Sequence, residues 1–271
     1  MKSNTFQLRE KQIEILKLLY RFRFLNRKQI QKFLKHKDHR LIIQWLNSLT
    51  NKEYLKRIYS NKFGENTKPA IYFLAKKARI VLKQQKDTKD AESIKLKENL
   101  LKRIYKEDTR TQKFINRCIF IADIYLSLEE NIKETKSELT FYAKTDLYGI
   151  DYLINPTPDI YFAVKNKSKE QKSRYFLDIF DPDIPRFVAK MRINEYLKYY
   201  DSDEWQSNTN KPFPNIILVL PTETLKQYAK RYLIRNVIDY YMDLTFLITT
   251  WGQIEESGVR RDVFEEVIED K

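Results

Sequence analysis

The stretch that decides the fold of the N-terminal part of the chain is NRKQIQKFLKHKDHRLIIQWLNSL, residues 26–49. Asn26 followed by Gln29 is typical of a capping box, which begins a helix by satisfying its first backbone N–H groups. Asp38 is an N-cap residue type and predicts the start of a further helix. Apolar residues recur at helical spacing on the inner face of both helices. They are Ile30, Phe33 and Leu34 in the first and Ile42, Trp45, Leu46 and Leu49 in the second.

The segments on either side of this helix pair predict the rest of the domain. Four apolar residues at helical spacing indicate a preceding helix. Residues 54–59 and 70–74 are predicted strands, joined at residues 61–69 by a polar tip with turn residues and lysines. Three short helices followed by a β-hairpin predict a winged helix-turn-helix over residues 1–83. The residues of the first apolar face are Ile15, Leu18, Leu19 and Phe22.

The positive charge of the chain is concentrated in this predicted domain. The 271 residues include 51 Lys and Arg against 37 Asp and Glu, a net charge of +14. Residues 1–90 hold 23 basic and 7 acidic side chains, a balance of +16, whereas residues 91–271 hold 28 and 30, a balance of −2. A general preference for lysine would spread the excess evenly. The asymmetry therefore favours a phosphate-binding surface, with double-stranded DNA as the partner.

Composition excludes several other classes of protein. No apolar run approaches the length of a transmembrane helix, and the charged N-terminus does not look like a signal peptide, so we expect a cytoplasmic protein without membrane contact. One cysteine excludes an internal disulfide and a cysteine-rich zinc site. Four glycines without a Gly-rich loop exclude a P-loop and a dinucleotide fingerprint. His36 and His39 lack the Cys or third His that a zinc site needs.

The outward face of the third predicted helix and the hairpin tip carry the candidate DNA contacts. Polar side chains on that helix can reach base edges in a major groove, whereas lysines near the turn and the tip suit phosphate contacts. A solvated polar face is the alternative for each residue, and winged helices also dock proteins. The candidates for base contact are His39, Arg40, Gln44, Asn47 and Ser48, and those for phosphate contact are Lys37, Lys62 and Lys68.

The remaining chain predicts a linker and a second, α/β domain. Residues 84–96 have almost no large apolar side chains, and we assign residues 84–107 to the linker and 108–271 to the second domain. A long helix, three strands, a helix, a strand, a helix and a last strand imply a mixed sheet flanked by helices. Cys118 lies on the apolar stripe of the long helix and is expected in the core. The acidic tail after Gly258 is expected to be a solvated helix.

Two aspartates on neighbouring predicted strands are the candidate catalytic and metal-binding residues. Asp159 enters one strand after Pro158, and Asp178 lies near the end of the next. A hairpin would place them side by side, as paired carboxylates that hold Mg²⁺ at a scissile phosphate. A turn role for Asp159 and pairing of Asp178 with a structural cation are the alternatives.

These motifs, in this order, resemble the replication-relaxation family, whose members are found on plasmids and other mobile elements. The resemblance implies a second domain similar to the PD-(D/E)XK nuclease fold, with Asp159 at the PD aspartate and Asp178 at the second acidic position. Phe180 stands where that motif has its lysine, so the motif is incomplete. Lys190, the candidate catalytic cation, or Arg192 on the following helix would have to supply the charge.

Three functions from different classes are compatible with these observations. The first is an α+β DNA-binding protein of a mobile element that acts in replication, relaxation or its control, with a plasmid replication or relaxation enzyme as partner and a nuclease-like domain without activity. The second is a Mg²⁺-dependent DNA endonuclease that uses Asp159 and Asp178. The third is a winged-helix regulator whose second domain dimerises.

Overall fold

A computed structural model describes residues 8–60, 62, 66–84, 97–166, 172–237, 241 and 243–268. Its contacts divide the chain into two compact units, Met1–Leu126 and Ser127–Lys271, here called the N-terminal and C-terminal units. The division lies beyond the boundary expected after residue 107. Residues 98–107 of the expected linker are helical and belong to the N-terminal unit, whereas residues 85–96 lie outside the described residues.

The N-terminal unit begins with three helices and a β-hairpin, the order expected of a winged helix-turn-helix. Strand β3 lies between β1 and β2 in an antiparallel sheet. The elements are α1 (Glu10–Phe22), β1 (Leu25–Asn26), α2 (Arg27–Phe33), α3 (His39–Asn51), β2 (Leu55–Ile58), β3 (Ile71–Leu74), α4 (Ala78–Gln84), α5 (Glu98–Leu101), a 3-10 helix (Lys102–Thr109) and α6 (Gln112–Thr135), which ends in the other unit.

The predicted caps are present. The backbone N–H of Gln29 donates to Asn26 Oδ1 at 2.9 Å, and the Asn26 N–H donates to Gln29 Oε1 at 3.0 Å, which is the reciprocal pair of a capping box. Asp38 Oδ1 accepts from the Arg40 N–H at 2.7 Å. Trp45, expected in the core, is only partly buried and packs edge-on against the His36 ring at a centroid distance of 5.1 Å.

The C-terminal unit is built on a mixed sheet of strand order β4-β5-β6-β7-β8-β9, in which β6, β7 and β8 run parallel. Helices α8 and α10 pack on one face and enclose a core that includes Phe176, Tyr196 and Leu233. The elements are β4 (Glu138–Ala143), α7 (Lys144–Leu147), β5 (Ile160–Lys165), β6 (Lys172–Ile179), α8 (Arg186–Asp201), α9 (Glu204–Thr209), β7 (Asn215–Leu220), α10 (Glu223–Asn236), β8 (Phe246–Thr250), α11 (Trp251–Ser257), a 3-10 turn (Arg261–Val263) and β9 (Glu265–Glu266).

The segment after Gly258 differs from expectation. It is not a solvated helix, because β9 pairs with β8 and Glu265 accepts hydrogen bonds from lysines of α10. Glu265 Oε2 lies 2.8 Å from Lys226 Nζ, and the Lys226 side chain is only 6% exposed. Among the described acidic residues of the tail, Glu265 therefore pairs with a buried lysine, whereas Asp262 and Glu266 are exposed. In the part of the chain that the structure describes, no helix has the length and apolarity to cross a bilayer.

Candidate functional site

Helix α3 presents a polar stripe away from the core of the N-terminal unit. Ile42, Leu46 and Leu49 are fully buried and set the rotation of the helix. Because a helical turn takes 3.6 residues, the positions opposite them lie on one outward face. That face carries the exposed side chains of Arg40, Gln44 and Asn47. His39 is exposed in the first turn, but it lies three residues before Ile42 and hence nearer the buried side of the helix. Ser48 is half-buried, and its Oγ accepts from Gln12 Nε2 at 3.3 Å. The structure therefore places three of the residues predicted to contact bases on one outward face and leaves His39 and Ser48 outside it.

The turn before α3 is held by side-chain hydrogen bonds. Gln31 Nε2 donates to the His36 carbonyl at 3.1 Å, and the His36 ring nitrogen Nδ1 accepts from the Asp38 N–H at 3.2 Å. These hydrogen bonds and the packing of its ring against Trp45 give His36 a structural role that requires no metal ion. Lys37 lies exposed in the same turn, next to the start of α3.

The hairpin carries the two predicted phosphate contacts and an exposed arginine that sequence reasoning missed. Lys62 and Lys68, the predicted phosphate contacts, are both exposed, although residues 61 and 63–65 of the predicted tip lie outside the described residues. Arg57 at the end of β2 is also exposed, and its guanidinium carbon lies 5.5 Å from the ring centroid of Tyr59, a distance typical of a cation–π contact. Alternation could not identify Arg57, because three successive residues of β2 are exposed.

In the C-terminal unit, strand register brings the two predicted aspartates together. Ile160 pairs with Leu177 in the antiparallel β5–β6 ladder, so the residues just beyond them face each other. The Asp159 N–H donates to Asp178 Oδ1 at 3.4 Å, and the Ile179 N–H donates to Asp159 Oδ2 at 2.9 Å. Both aspartates are buried, with exposures of 2% and 7%.

Arg192 on α8 is the cation that meets Asp178. Its Nε donates to Asp178 Oδ2 at 2.6 Å, and Tyr196 Oη donates to the same oxygen at 2.7 Å. Burial raises the pKa of Tyr196, and the charge of Asp178 raises it further, so the hydroxyl remains a donor. The predicted Lys190 is elsewhere: it is exposed, and its Nζ lies 5.2 Å from the ring centroid of Tyr232.

This arrangement does not fit a divalent cation between the carboxylates. A metal ion on Asp178 Oδ2 would have to displace the guanidinium that donates to it, and Lys144 Nζ lies 3.7 Å from Asp159 Oδ1. Among the residues that the structure describes, no group of three or more His, Cys, Asp and Glu could hold a metal. Mg²⁺ usually takes only one or two carboxylates and completes its shell with waters, but here the Arg192 guanidinium and the Lys144 ammonium occupy the carboxylates and would repel the ion.

A groove of about 840 Å³ opens elsewhere on the C-terminal unit, at the sheet surface that includes Phe162, Tyr175 and Leu247. None of the predicted site residues lines this groove. The aspartates therefore form a closed ionic centre rather than the floor of a large cleft.

The fold and these sites define an α+β protein of two units, one basic and helical and the other an α/β sheet with a buried aspartate–arginine centre. The family model of replication-relaxation proteins matches residues 16–216, and the chain belongs to that family. This confirms the resemblance in the sequence.

Comparisons with other known proteins add little. The structure of a mutant of ZitR from Lactococcus lactis is similar over 49% of this chain and 80% of its own, with 18% sequence identity and a TM-score of 0.26, which is too low to define a shared fold. No curated protein matches the chain.

Proposed function

We propose that the protein binds double-stranded DNA through its N-terminal unit and acts in the replication or relaxation of a plasmid or another mobile element, or in its control. The observation that carries the proposal is the polar outward face of α3 on the unit that holds the whole positive excess. That unit contains 31 basic and 12 acidic residues, a balance of +19, against 20 and 25 in the C-terminal unit, a balance of −5. Membership of the replication-relaxation family supports a role in replication or relaxation.

The chemistry of the α3 face suits a major groove. The Arg40 guanidinium can donate two hydrogen bonds to the edge of guanine, and the amides of Gln44 and Asn47 can pair with adenine. Lys37, together with Lys62 and Lys68 of the hairpin, would contact phosphates, which position a protein on DNA without reading its sequence.

In this proposal the C-terminal unit is a nuclease-like domain without nuclease activity, which contacts a plasmid replication or relaxation enzyme. The absence of the expected lysine at Phe180 and the pairing of Asp178 with Arg192 support a scaffold over an endonuclease. The metal-dependent endonuclease that uses Asp159 and Asp178, and the dimerising regulator, are the outcomes that the experiments below distinguish from it.

Duplex binding is tested by fluorescence anisotropy over a series of salt concentrations. Affinity should fall steeply with salt, because each neutralised phosphate changes the slope of log K against log salt by about 0.9. Arg40→Ala and Gln44→Ala should weaken a preferred site by about 1–3 kcal/mol more than random DNA. Lys62→Ala and Lys68→Ala should weaken all duplexes alike. The absence of duplex binding at low salt would contradict the proposal.

The endonuclease alternative has a separate test. Supercoiled plasmid is incubated with the protein and Mg²⁺ or Mn²⁺, and nicked product is measured on a gel. We expect no nicking by the wild type. Nicking that is lost in Asp178→Asn but retained in a charge-matched surface variant such as Asp262→Asn would establish the endonuclease. A mass from light scattering that corresponds to two chains without any bound DNA would favour the dimerising regulator.

A further inference from the structure

The N-terminal unit has a second basic surface, centred on an exposed tyrosine. Tyr105, on the 3-10 helix Lys102–Thr109, is 47% exposed. Lys76 Nζ and the guanidinium carbon of Arg79 each lie 5.6 Å from its ring centroid, and Arg79 Nη1 donates to the Tyr105 hydroxyl at 3.2 Å. With Lys102, these residues form what we call the tyrosine patch.

Local structure explains why the four residues converge. Lys76 lies in the turn after β3, and Arg79 lies in the first turn of α4. A 3-10 helix has three residues per turn, so Lys102 and Tyr105 lie on the same face, one above the other. The 3-10 helix packs against β3, which brings that face to the two basic residues.

The tyrosine patch and the hairpin tip lie at opposite ends of the β2–β3 ladder. The β2–β3 ladder begins where the Ala75 N–H donates to the Tyr54 carbonyl at 2.9 Å and ends at the pair Ile58 and Ile71, beyond which the tip lies. That length of ladder separates the patch from the tip by roughly 10 Å or more. Lys77, whose Nζ is 5.1 Å from the Tyr54 ring centroid, extends the basic surface at the same end of the hairpin.

Among the described residues, the surface remains positive after its acidic neighbours are considered. Glu98 lies 2.5 Å from Lys83 Nζ and 3.9 Å from Arg79, and Asp108 lies 2.5 Å from Lys56 Nζ. The two exposed carboxylates are outnumbered by the basic side chains of this surface, so its net charge is positive. Lys76, Lys77, Lys102 and Lys106 are exposed around them.

We propose that the tyrosine patch binds single-stranded DNA, with a base stacked on Tyr105 and phosphates contacted by Lys76, Arg79 and Lys102. An aromatic ring within a basic surface is the arrangement by which proteins hold single strands, because each unpaired base offers a π-face and each phosphate a charge. Duplex bases are already stacked on one another and cannot use the ring. The patch is thus a second DNA surface, separated by the β2–β3 ladder from the hairpin tip of the proposed duplex surface.

The test measures binding of the full-length protein to a labelled oligo-thymidine strand and, separately, to a duplex. Tyr105→Ser should weaken oligo-thymidine binding by about 5- to 150-fold, the effect of losing one base–aromatic stack, whereas Tyr105→Phe should retain it. Lys76→Gln with Lys102→Gln should reduce the salt slope for the single strand by about 1.4, since each phosphate contact contributes about 0.7. Lys133→Gln with Lys198→Gln has the same net charge and serves as the control.

The outcomes separate this inference from the proposed function. Arg40→Ala with Gln44→Ala should leave oligo-thymidine binding unchanged, and Tyr105→Ser should leave duplex binding unchanged, with circular dichroism confirming that each variant is folded. Wild-type affinity of Tyr105→Ser for the single strand overturns the inference, as does an equal loss of duplex binding, which would make the patch part of the duplex surface. A protein that binds only the single strand refutes the duplex proposal and supports this one.

Discussion

Removing the guanidinium of Arg192 should strongly destabilise the C-terminal unit. The Arg192 and Asp178 side chains are 7% and 10% exposed, and Arg192→Met leaves a buried carboxylate without its counter-ion. Asp178 would keep its hydrogen bond from the Tyr196 hydroxyl at 2.7 Å, so we expect a loss at the lower end of the range for breaking a buried pair, about 3 kcal/mol. Asp178→Asn combined with Arg192→Met should recover about 1–3 kcal/mol of this loss, because no buried charge is then left unpaired.

The measurement is urea unfolding followed by tryptophan fluorescence. In a Trp45→Phe background the remaining tryptophans, Trp205 and Trp251, both lie in the C-terminal unit and report on it alone. Lys190→Met, on the exposed side of the same helix, is the control and should change stability by less than about 0.5 kcal/mol.

If Asp159 and Asp178 instead bound a metal ion, adding that ion would raise the stability of the wild type in the same urea assay. Mg²⁺ at ten times its dissociation constant would stabilise the wild type by about 1.4 kcal/mol through mass action. We expect no such gain. Arg192→Met with wild-type stability, or a wild type that Mg²⁺ stabilises, would refute the assignment of Arg192 as the counter-ion.

Three further predictions concern other parts of the molecule. The hydrogen bond from Lys226 lowers the pKa of Glu265 in the folded protein. The stability that the Glu265 carboxylate contributes is therefore present above the pKa it has in the unfolded chain and is lost as the pH falls through the lower folded pKa. Glu265→Gln should flatten the acid side of a plot of stability against pH. Burial raises the pKa of Cys118 to about 12, so iodoacetamide at pH 8 should modify it slowly until urea unfolds the protein, and rapid native labelling would contradict its burial. Gly258 has a φ of +69°, and a Cβ there would lie 2.6 Å from Ser127 Oγ, so Gly258→Ala should cost about 1–3 kcal/mol in thermal unfolding, whereas Gly252→Ala, with open space around it, should not destabilise.

The fold was largely predictable because its signals are local. The Asn26–Gln29 capping box and the Asp38 cap depend on side chains within three residues of the helix start, and the structure contains both. The apolar run Asn215–Leu220 predicts a strand buried on both faces, and β7 has these bounds. In contrast, the role of the acidic tail depends on lysines of α10 about forty positions away, and no local pattern reports such a contact.

The carboxylate centre was predictable only in part. Strand spacing placed Asp159 beside Asp178, which the register confirms. The choice between Lys190 and Arg192 depends on the rotation of α8 against the sheet, because the two residues lie on different faces of that helix. A buried arginine is unusual, and nothing in the sequence alone distinguishes it from an exposed one.

The two-residue strand β9 also bears on how the molecule avoids self-association. A sheet that ended at β8 would present a row of unpaired backbone N–H and C=O groups, which is a template for strand addition by another chain. Strand β9 covers part of that row and is too short to offer a long new one, and its residues Glu265 and Glu266 are charged. Removing the segment after Gly258 should therefore favour aggregation through β8 at high protein concentration, even though most of the buried core of the unit would be retained.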